Sequence, residues 1–411
     1  MKIEVEIARI GARGDGIAET LGGPLYVPYT AAGDIVEVEP GEKRGDGREA
    51  SLVRVVSSGP DRIGPPCRHF GTCGGCAMQH LAAAAYLAWK HERVAEALRR
   101  AGVETEVLGT VSVPPGSRRR VRYAFRSASG RMLAGFREAR STRIVDLAEC
   151  PVARPAVAEL LPALRPFLAK HAATGEVTVT EVEGGLDVAV FADRAPDLDL
   201  RLDVPDFCNA GGIVRLSWAT GKGTPELLLA RAPAKVKFGG VTVELPIDAF
   251  LQPTVEGEAV LRGAVEAAIP EGARVADLFS GCGAFALPLA ARGRTVHAVE
   301  GIAAQTRAIQ RANPSVGTET RDLSRQPLRR EELAPFDAVV LDPPRAGAAE
   351  QTAEIASSAV PTVVYVSCNP ATFARDARVL IGGGYRIGKV RPVDQFLWSH
   401  HVELAAVFTR N

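Results

Sequence analysis

Cys368 stands in Ser367-Cys-Asn-Pro, directly after the apolar run Thr362-Val-Val-Tyr-Val-Ser. A thiolate is a strong nucleophile, and a strand end holds a side chain rigidly at an active-site rim. The same apolar run also suits a buried, inert cysteine. Glu403, in His401-Val-Glu at the head of a last apolar run, has the chemistry of a general base. Asp342-Pro-Pro-Arg ends an earlier run. Two successive prolines offer no N–H and follow a rigid path, so they hold a short loop beside a reacting centre. Asp277-Leu-Phe-Ser-Gly-Cys-Gly follows a predicted strand and precedes a predicted helix. Gly281 and Gly283 let that backbone turn sharply and approach a ligand. Strand-to-helix turns at the carboxyl edge of a parallel sheet are where such folds bind nucleotides. Glu300 ends the next strand, placed to accept hydrogen bonds from ribose hydroxyls.

Two cofactor classes compete for this loop. A dinucleotide fingerprint tolerates Ala286 at its third glycine position. An S-adenosylmethionine site favours Asp-Leu-Phe-x-Gly-x-Gly, and Asp342-Pro-Pro-Arg at a later strand end tips the choice towards methyl transfer.

Cys67-x5-Cys73-x2-Cys76 lies in a Gly- and Pro-rich loop, and Cys150-Pro follows much later. Four thiolates suit zinc or an iron–sulfur cluster. His69 and His80 flank the loop, as bystanders or as supports of its ligands. Between Cys76 and Cys150, the segment Arg118–Arg143 holds nine arginines and one acid, Glu138. Arg is favoured over Lys where phosphates are gripped bidentately or bases are stacked. Tyr123, Phe125 and Phe136 are expected to face a core while the arginines face solvent, and RNA becomes the expected partner.

These residues need a scaffold of two to three domains, which a 411-residue chain supports. Residues 1–58 alternate apolar and charged positions between glycine-rich turns, predicting a five-stranded barrel of the oligonucleotide-binding type. Residues 59–239 are expected to form an α+β domain carrying the cysteines and the basic segment. Its helix, over about Leu81–Ala101, is expected to face Lys90, Glu92 and Arg93 outward. From residue 240 to 411, short apolar runs alternate with helix-length segments, predicting a doubly wound, Rossmann-like α/β sheet. The chain is 46% hydrophobic and 24% charged, which excludes a disordered tail or a coiled coil. No unbroken apolar stretch reaches a membrane-span length. The N-terminus does not read as a secretory signal, so a cytoplasmic monomer with reduced cysteines is expected. The net charge of +1 is uninformative by itself.

With these motifs assembled, the chain resembles the RNA uracil-5-methyltransferases, in the branch that carries an iron–sulfur cluster. The likeness covers essentially the whole chain, from a TRAM-like barrel to the methyltransferase domain. It implies methyl transfer from S-adenosylmethionine to C5 of a uridine, in ribosomal RNA ahead of transfer RNA. It implies that Cys67, Cys73, Cys76 and Cys150 hold a [4Fe–4S] cluster. Gln252, Phe279, Gly281, Gly283, Glu300, Asp342 and, more weakly, Asp322 would form the cofactor site. Cys368 would be the nucleophile and Glu403 the base. The chain departs from the family at Ala284 and Thr254, where Asn is usual, and at Phe396-Leu-Trp-Ser. An exocyclic-amine methyltransferase would also carry a Pro-Pro motif, but it has no use for a nucleophilic cysteine. A non-catalytic iron–sulfur RNA-binding protein would not need Cys368 and Glu403.

Overall fold

The computed structural model describes residues 1–410. Near the N-terminus the alternating pattern produces six short strands rather than five. The first predicted strand is broken at Ile7 and Ala8 into Ile3–Glu6 and Arg9–Ile10, which lie at opposite ends of the strand order. The Ala8 N–H donates to the Ile17 carbonyl at 2.9 Å, so the sheet curls around Ile7, Leu25, Val27, Val36 and Val38.

A seven-stranded sheet follows, running in spatial order Ile144–Asp146, Arg131–Arg137, Arg120–Ala128, Thr174–Val182, Gly185–Ala192, Ile213–Thr220 and Glu226–Ala230. Period-2 alternation buries Val121, Tyr123 and Phe125 of Arg120–Ala128. Helices Leu161–His171 and Leu198–Ala210 cover that apolar face, and Phe167 stacks on Phe207 with ring centroids 3.9 Å apart.

The C-terminal sheet is mixed. Gly317–Thr320, Thr295–Glu300, Arg274–Leu278, Ala338–Leu341 and Thr362–Ser367 are parallel neighbours in that order. Glu403–Thr409 then pairs antiparallel with Thr362–Ser367 in the register Ser367↔Leu404. This reversal brings the start of the last strand to the edge where the parallel strands end. Glu403 therefore arrives beside Cys368 although 34 positions separate them in the sequence. Sequence order reverses between Arg274–Leu278 and Ala338–Leu341, the switch point where open α/β sheets bind ligands.

Domain limits in space differ from those expected along the chain. Helix Ala83–Arg100 packs on the C-terminal unit, with Val94 and Leu98 in one core with Phe373, Leu380 and Tyr385. Val111–Ser112 adds an edge strand to the same sheet. Much of the segment 83–113 thus belongs with the C-terminal unit rather than with the middle domain. Ala234, Val236 and Phe238 also join the C-terminal core, so that unit begins a few residues before 240. No helix among the described residues is long and apolar enough to cross a membrane.

Candidate active site

The carboxyl edge of the sheet opens into a cavity of about 570 Å³. Gln252, Phe279, Gly281, Glu300, Asp322, Asp342, Cys368 and Glu403 all line it. Four strand ends, the start of a fifth strand and two loops thus deliver these residues to one space.

The glycine loop is shaped by its backbone. Phe279 at φ 62° and Gly281 at φ 55° turn the chain after Arg274–Leu278. The left-handed region is uncommon for a phenylalanine and points to a constrained site. Asp277, fully buried, accepts from the Ala286 N–H at 2.8 Å and so fastens the helix that follows. The Glu300 carboxylate accepts from the N–H groups of Gly281 and Ile302, each at 3.0 Å, which fixes it at the rim. Gly283 does not line the cavity. Gly283 sits at φ 90°, and a Cβ there would meet Leu287 Cδ1 at 2.9 Å and Ile309 Cγ1 at 3.0 Å, so backbone conformation and helix packing both require glycine. Asp322 is more open, accepting from the Ser324 N–H at 3.0 Å.

Beneath the loop runs a chain of polar side chains. Gln252 Nε2 donates to Asp342 Oδ2 at 2.9 Å, and Gln395 Nε2 donates to Gln252 Oε1 at 2.6 Å. Thr254, at the usual Asn position, caps helix Val255–Ala268 by accepting from the Gly257 N–H. Burial pushes the Asp342 carboxyl up to about 7. Burial, then the nearby Asp342, push Glu403 up to about 8, while Gln395 and Lys90 act in the opposite direction. Glu403 Oε2 is buried and lacks a hydrogen-bond partner. An unpaired buried acceptor of this kind is poised to receive a proton. The Cys368 thiol is pushed up to about 11 by burial and by the carboxyl groups of Glu403 and Asp342, with Arg345 opposing.

Sequence reasoning missed the support behind Glu403. Lys90, expected to face outward, is fully buried and pairs with Asp394 at 2.9 Å. Its Nζ also donates to the His401 carbonyl. Tyr86, one turn earlier on the same helix, accepts from the Trp398 N–H at 2.7 Å. Helix Ala83–Arg100 therefore grips the loop leading to Glu403. A lysine flanked by Trp89 and His91 was the available signal, but its charge argued for solvent.

The four cysteines of the middle domain line a second cavity, of about 300 Å³, with Arg118 and Phe396. All four are free thiols. Cys73 forms an isolated β-bridge with Glu138, and the Gly74 N–H donates to the Arg137 carbonyl at 2.9 Å, hooking the loop to the middle sheet. Among the described residues no three His, Cys, Asp or Glu side chains are disposed to hold a single metal ion. The four thiols border one cavity, and an all-sulfur donor set suits zinc or an iron–sulfur cluster. Burial pushes the Cys76 thiol up to about 12, so a positive group would be needed to hold it as thiolate. His69 Nε2 accepts from the Ala148 N–H at 3.0 Å and His80 Nε2 bonds the Thr30 carbonyl at 3.0 Å, so backbone occupies one nitrogen of each. Phe396, Leu397, Ser399 and His401 form one wall of this cavity, and Glu403 follows them in sequence.

The basic segment is not the uniform solvent face expected. Folding brings acids to it from elsewhere. Arg119 is buried against Glu258 at 2.5 Å, and Arg120 and Arg122 each pair with Asp248 at 2.7 Å. Arg137 meets Glu176 at 2.8 Å, and Arg140 meets Glu49 at 2.8 Å. Arg118 lies over the Phe396 ring, 5.6 Å from its centroid. Arg122, Arg126, Arg131, Arg137, Arg140 and Arg143 remain exposed.

A nucleophile-type cysteine, a buried glutamate and a glycine loop sharing one cavity invite comparison with known methyltransferases. Residues 317–411 match the family model described as tRNA (Uracil-5-)-methyltransferase. An RNA methyltransferase of Mesorhizobium japonicum is 41% identical over 100% of this chain and 98% of its own length. The 23S rRNA (uracil(1939)-C(5))-methyltransferase RlmD of Pseudomonas putida is 37% identical over 99% of this chain and 93% of its own. This chain belongs to the RNA uracil-5-methyltransferase family. The family's fold is also that of the tRNA (uracil-54, C5)-methyltransferase of Pyrococcus abyssi, solved with S-adenosyl-L-homocysteine. That structure superposes with a TM-score of 0.79 at 24% identity, covering 99% of both chains.

Proposed function

We propose that the protein methylates C5 of a uridine in RNA with S-adenosylmethionine, and that ribosomal RNA is its substrate ahead of transfer RNA. The carrying observation is the pairing of Ser367 with Leu404, which sets Cys368 and Glu403 side by side in the cavity that also holds Asp342 and Gln252. Identity of 37% with an enzyme named for 23S rRNA, over nearly the full chain, favours ribosomal RNA.

C5 of uracil is too weak a nucleophile to take a methyl group unaided. Attack of the Cys368 thiolate at C6 gives the ring enolate character with carbanion density at C5. S-adenosylmethionine, when bound, supplies an electrophilic methyl group for that carbon. Glu403 then takes the C5 proton, the C5–C6 double bond re-forms, and Cys368 leaves as the thiolate. A proton acceptor near pH 8 suits that task, and the unpartnered Oε2 is the atom that receives it. Gln252, Phe279, Gly281, Glu300 and Asp342 hold the cofactor, with Asp322 at the outer edge. Ala284 lines the same cavity and offers no side-chain hydrogen bond.

Cys67, Cys73, Cys76 and Cys150 hold a [4Fe–4S] cluster. The cluster would supply rigidity rather than electrons, because its cavity shares a wall with the loop that ends at Glu403. The curled N-terminal sheet is an oligonucleotide-type barrel of the TRAM kind, and it joins the exposed arginines of the middle domain in holding RNA. Unstacking the target uridine requires roughly a few kcal/mol, which such backbone contacts supply.

The test is nucleoside mass spectrometry of RNA from cells with and without the gene. Loss of 5-methyluridine from one ribosomal position, restored by the wild-type protein and not by Cys368→Ala, is expected. An unchanged 5-methyluridine content in every RNA would overturn the reading.

A further inference from the structure

Thr254, Gln395 and Gln252 are all buried, and they touch in series beneath the cavity that contains Cys368. Thr254 Oγ1 accepts from the Gly257 N–H at 3.0 Å, which leaves its own hydrogen to point along a long contact of 3.5 Å to Gln395 Oε1. Gln395 Nε2 donates to Gln252 Oε1 at 2.6 Å, and Gln252 Nε2 donates to Asp342 Oδ2 at 2.9 Å. Gln252 and Asp342 line the cavity, whereas Gln395 does not.

The chain of bonds has a direction. A buried amide needs its oxygen to accept and its nitrogen to donate. The last member is a carboxylate, which in its ionised form only accepts. Turning the Gln252 amide round would set its oxygen against Asp342 and its NH2 against the NH2 of Gln395. Two acceptors would then face each other at one end and two donors at the other. Gln395 therefore decides which way Gln252 lies. With Oδ2 taken by Gln252, Asp342 Oδ1 makes no hydrogen bond among the described residues and is the oxygen left for a bound group.

The fold also makes room for Gln395. A Cβ on Gly257 would meet Gln395 Cβ and Oε1, both at 2.7 Å. Gly257 lies in the first turn of helix Val255–Ala268 without a positive φ, a place where alanine is the better helix former. The space is thus used by the Gln395 side chain and not by the backbone. Gln395 reaches it from the end of strand Arg391–Asp394, whose Val393 pairs with Glu403.

We propose, on the reading that Gln252 and Asp342 hold S-adenosylmethionine, that Gln395 is a positioning residue whose amide fixes the orientation of Gln252 and thereby which Asp342 oxygen meets the cofactor. Thr254 starts the relay, since its hydroxyl accepts from the helix and donates to Gln395 at once. Gln395 touches neither cofactor nor uridine and acts through Gln252.

Calorimetric titration of the full-length protein with S-adenosylmethionine tests this in wild type, Gln395→Met, Gln252→Met and the double variant. Gln395→Met, close in size, should weaken binding about ten-fold, and the double variant should be no more than about two-fold weaker than Gln252→Met alone, because members of one network are not additive. Affinity of Gln395→Met for transcribed ribosomal RNA should stay as in wild type, which a general loss of structure would not allow. Should Gln395→Met not fold, Gly257→Ala decides, because it displaces the same side chain and should weaken cofactor binding by a similar factor. Wild-type affinity in Gln395→Met, losses that multiply in the double variant, no effect of Gln252→Met, or an equal loss of RNA binding would each overturn the proposal. Coupled loss in a protein that forms no 5-methyluridine keeps the relay and removes the reaction. Wild-type affinity of Gln395→Met in a protein that does form it removes the relay and keeps the reaction.

Discussion

Arg119 and Glu258 form an ion pair at 2.5 Å, nearly closed to solvent, between the middle sheet and helix Val255–Ala268. Arg119 Nε also donates to the Gln252 carbonyl at 3.0 Å. An arginine that looked like part of an RNA-binding face thus ties the middle domain to the cavity that contains Cys368. Removing one partner of a buried pair typically costs about 3–5 kcal/mol, because the other charge is left unpaired. Arg119→Ala should lower stability by that order in urea unfolding and weaken S-adenosylmethionine binding in calorimetry. Unchanged values for both would detach Arg119 from the proposed cofactor site.

Lys90 makes a pH prediction. On the proposed mechanism Glu403 must be ionised to accept the C5 proton, so kcat/KM should rise with pH through a limb near 8 and go on rising as the Cys368 thiol, pushed up to about 11, ionises. The ammonium of Lys90 favours the ionised carboxylate, and Lys90, itself held down to about 8 by burial, stays charged below that pH. Lys90→Met should therefore move the rising limb to higher pH, in addition to lowering stability. A pH–rate profile measured on saturating cofactor decides this. A limb that stays in place while activity falls would reduce Lys90 to a structural support.

The cysteine cavity predicts a brown protein. Anaerobic purification should give iron and sulfide at about four each per chain, a number that the family resemblance implies. Cys150→Ser should bleach the absorbance and lower the thermal midpoint, because Cys150 joins the cavity from a distant segment. Stoichiometric zinc without iron would refute the cluster.

Two cysteines at the main cavity should behave differently. Burial pushes the Cys282 thiol up to about 12, and its side chain is 3% exposed. Cys282→Ala should stay within about three-fold of wild type in kcat, whereas Cys368→Ala should lose turnover by a factor of 10³ or more and still bind RNA, as expected for loss of a covalent nucleophile. Nucleoside analysis of the methylated product separates the two.

Much of the site could be read from local sequence, because each motif sits at a strand end and parallel strands end on one edge. Asp277-Leu-Phe-Ser-Gly-Cys-Gly, Asp342-Pro-Pro-Arg and Ser367-Cys-Asn-Pro needed no knowledge of pairing. Gly283 was harder to read, because a glycine required by a left-handed backbone and by packing against Leu287 and Ile309 looks the same in sequence as one required by a ligand. Lys90 misled because a buried lysine is legible only once Asp394 and the His401 carbonyl are known to face it. The arginine segment misled for the same reason, since Asp248, Glu176 and Glu258 are distant in sequence and near only in the fold. The helix Ala83–Arg100 was visible from its apolar stripe, but no local signal says which sheet that stripe packs against.

On the proposed mechanism Cys368 attacks C6 of uridine and Glu403 takes the C5 proton. Ribosomal RNA transcribed with 5-fluorouridine, incubated with the protein and S-adenosylmethionine, tests this directly, because fluorine at C5 cannot leave as a proton and the covalent adduct is trapped. Denaturing electrophoresis and peptide mass spectrometry should show a stable protein–RNA adduct on Cys368, absent from Cys368→Ala. Methylation of unmodified RNA without any adduct on the fluorinated RNA, or with an adduct on another residue, would rule out Cys368 as the nucleophile.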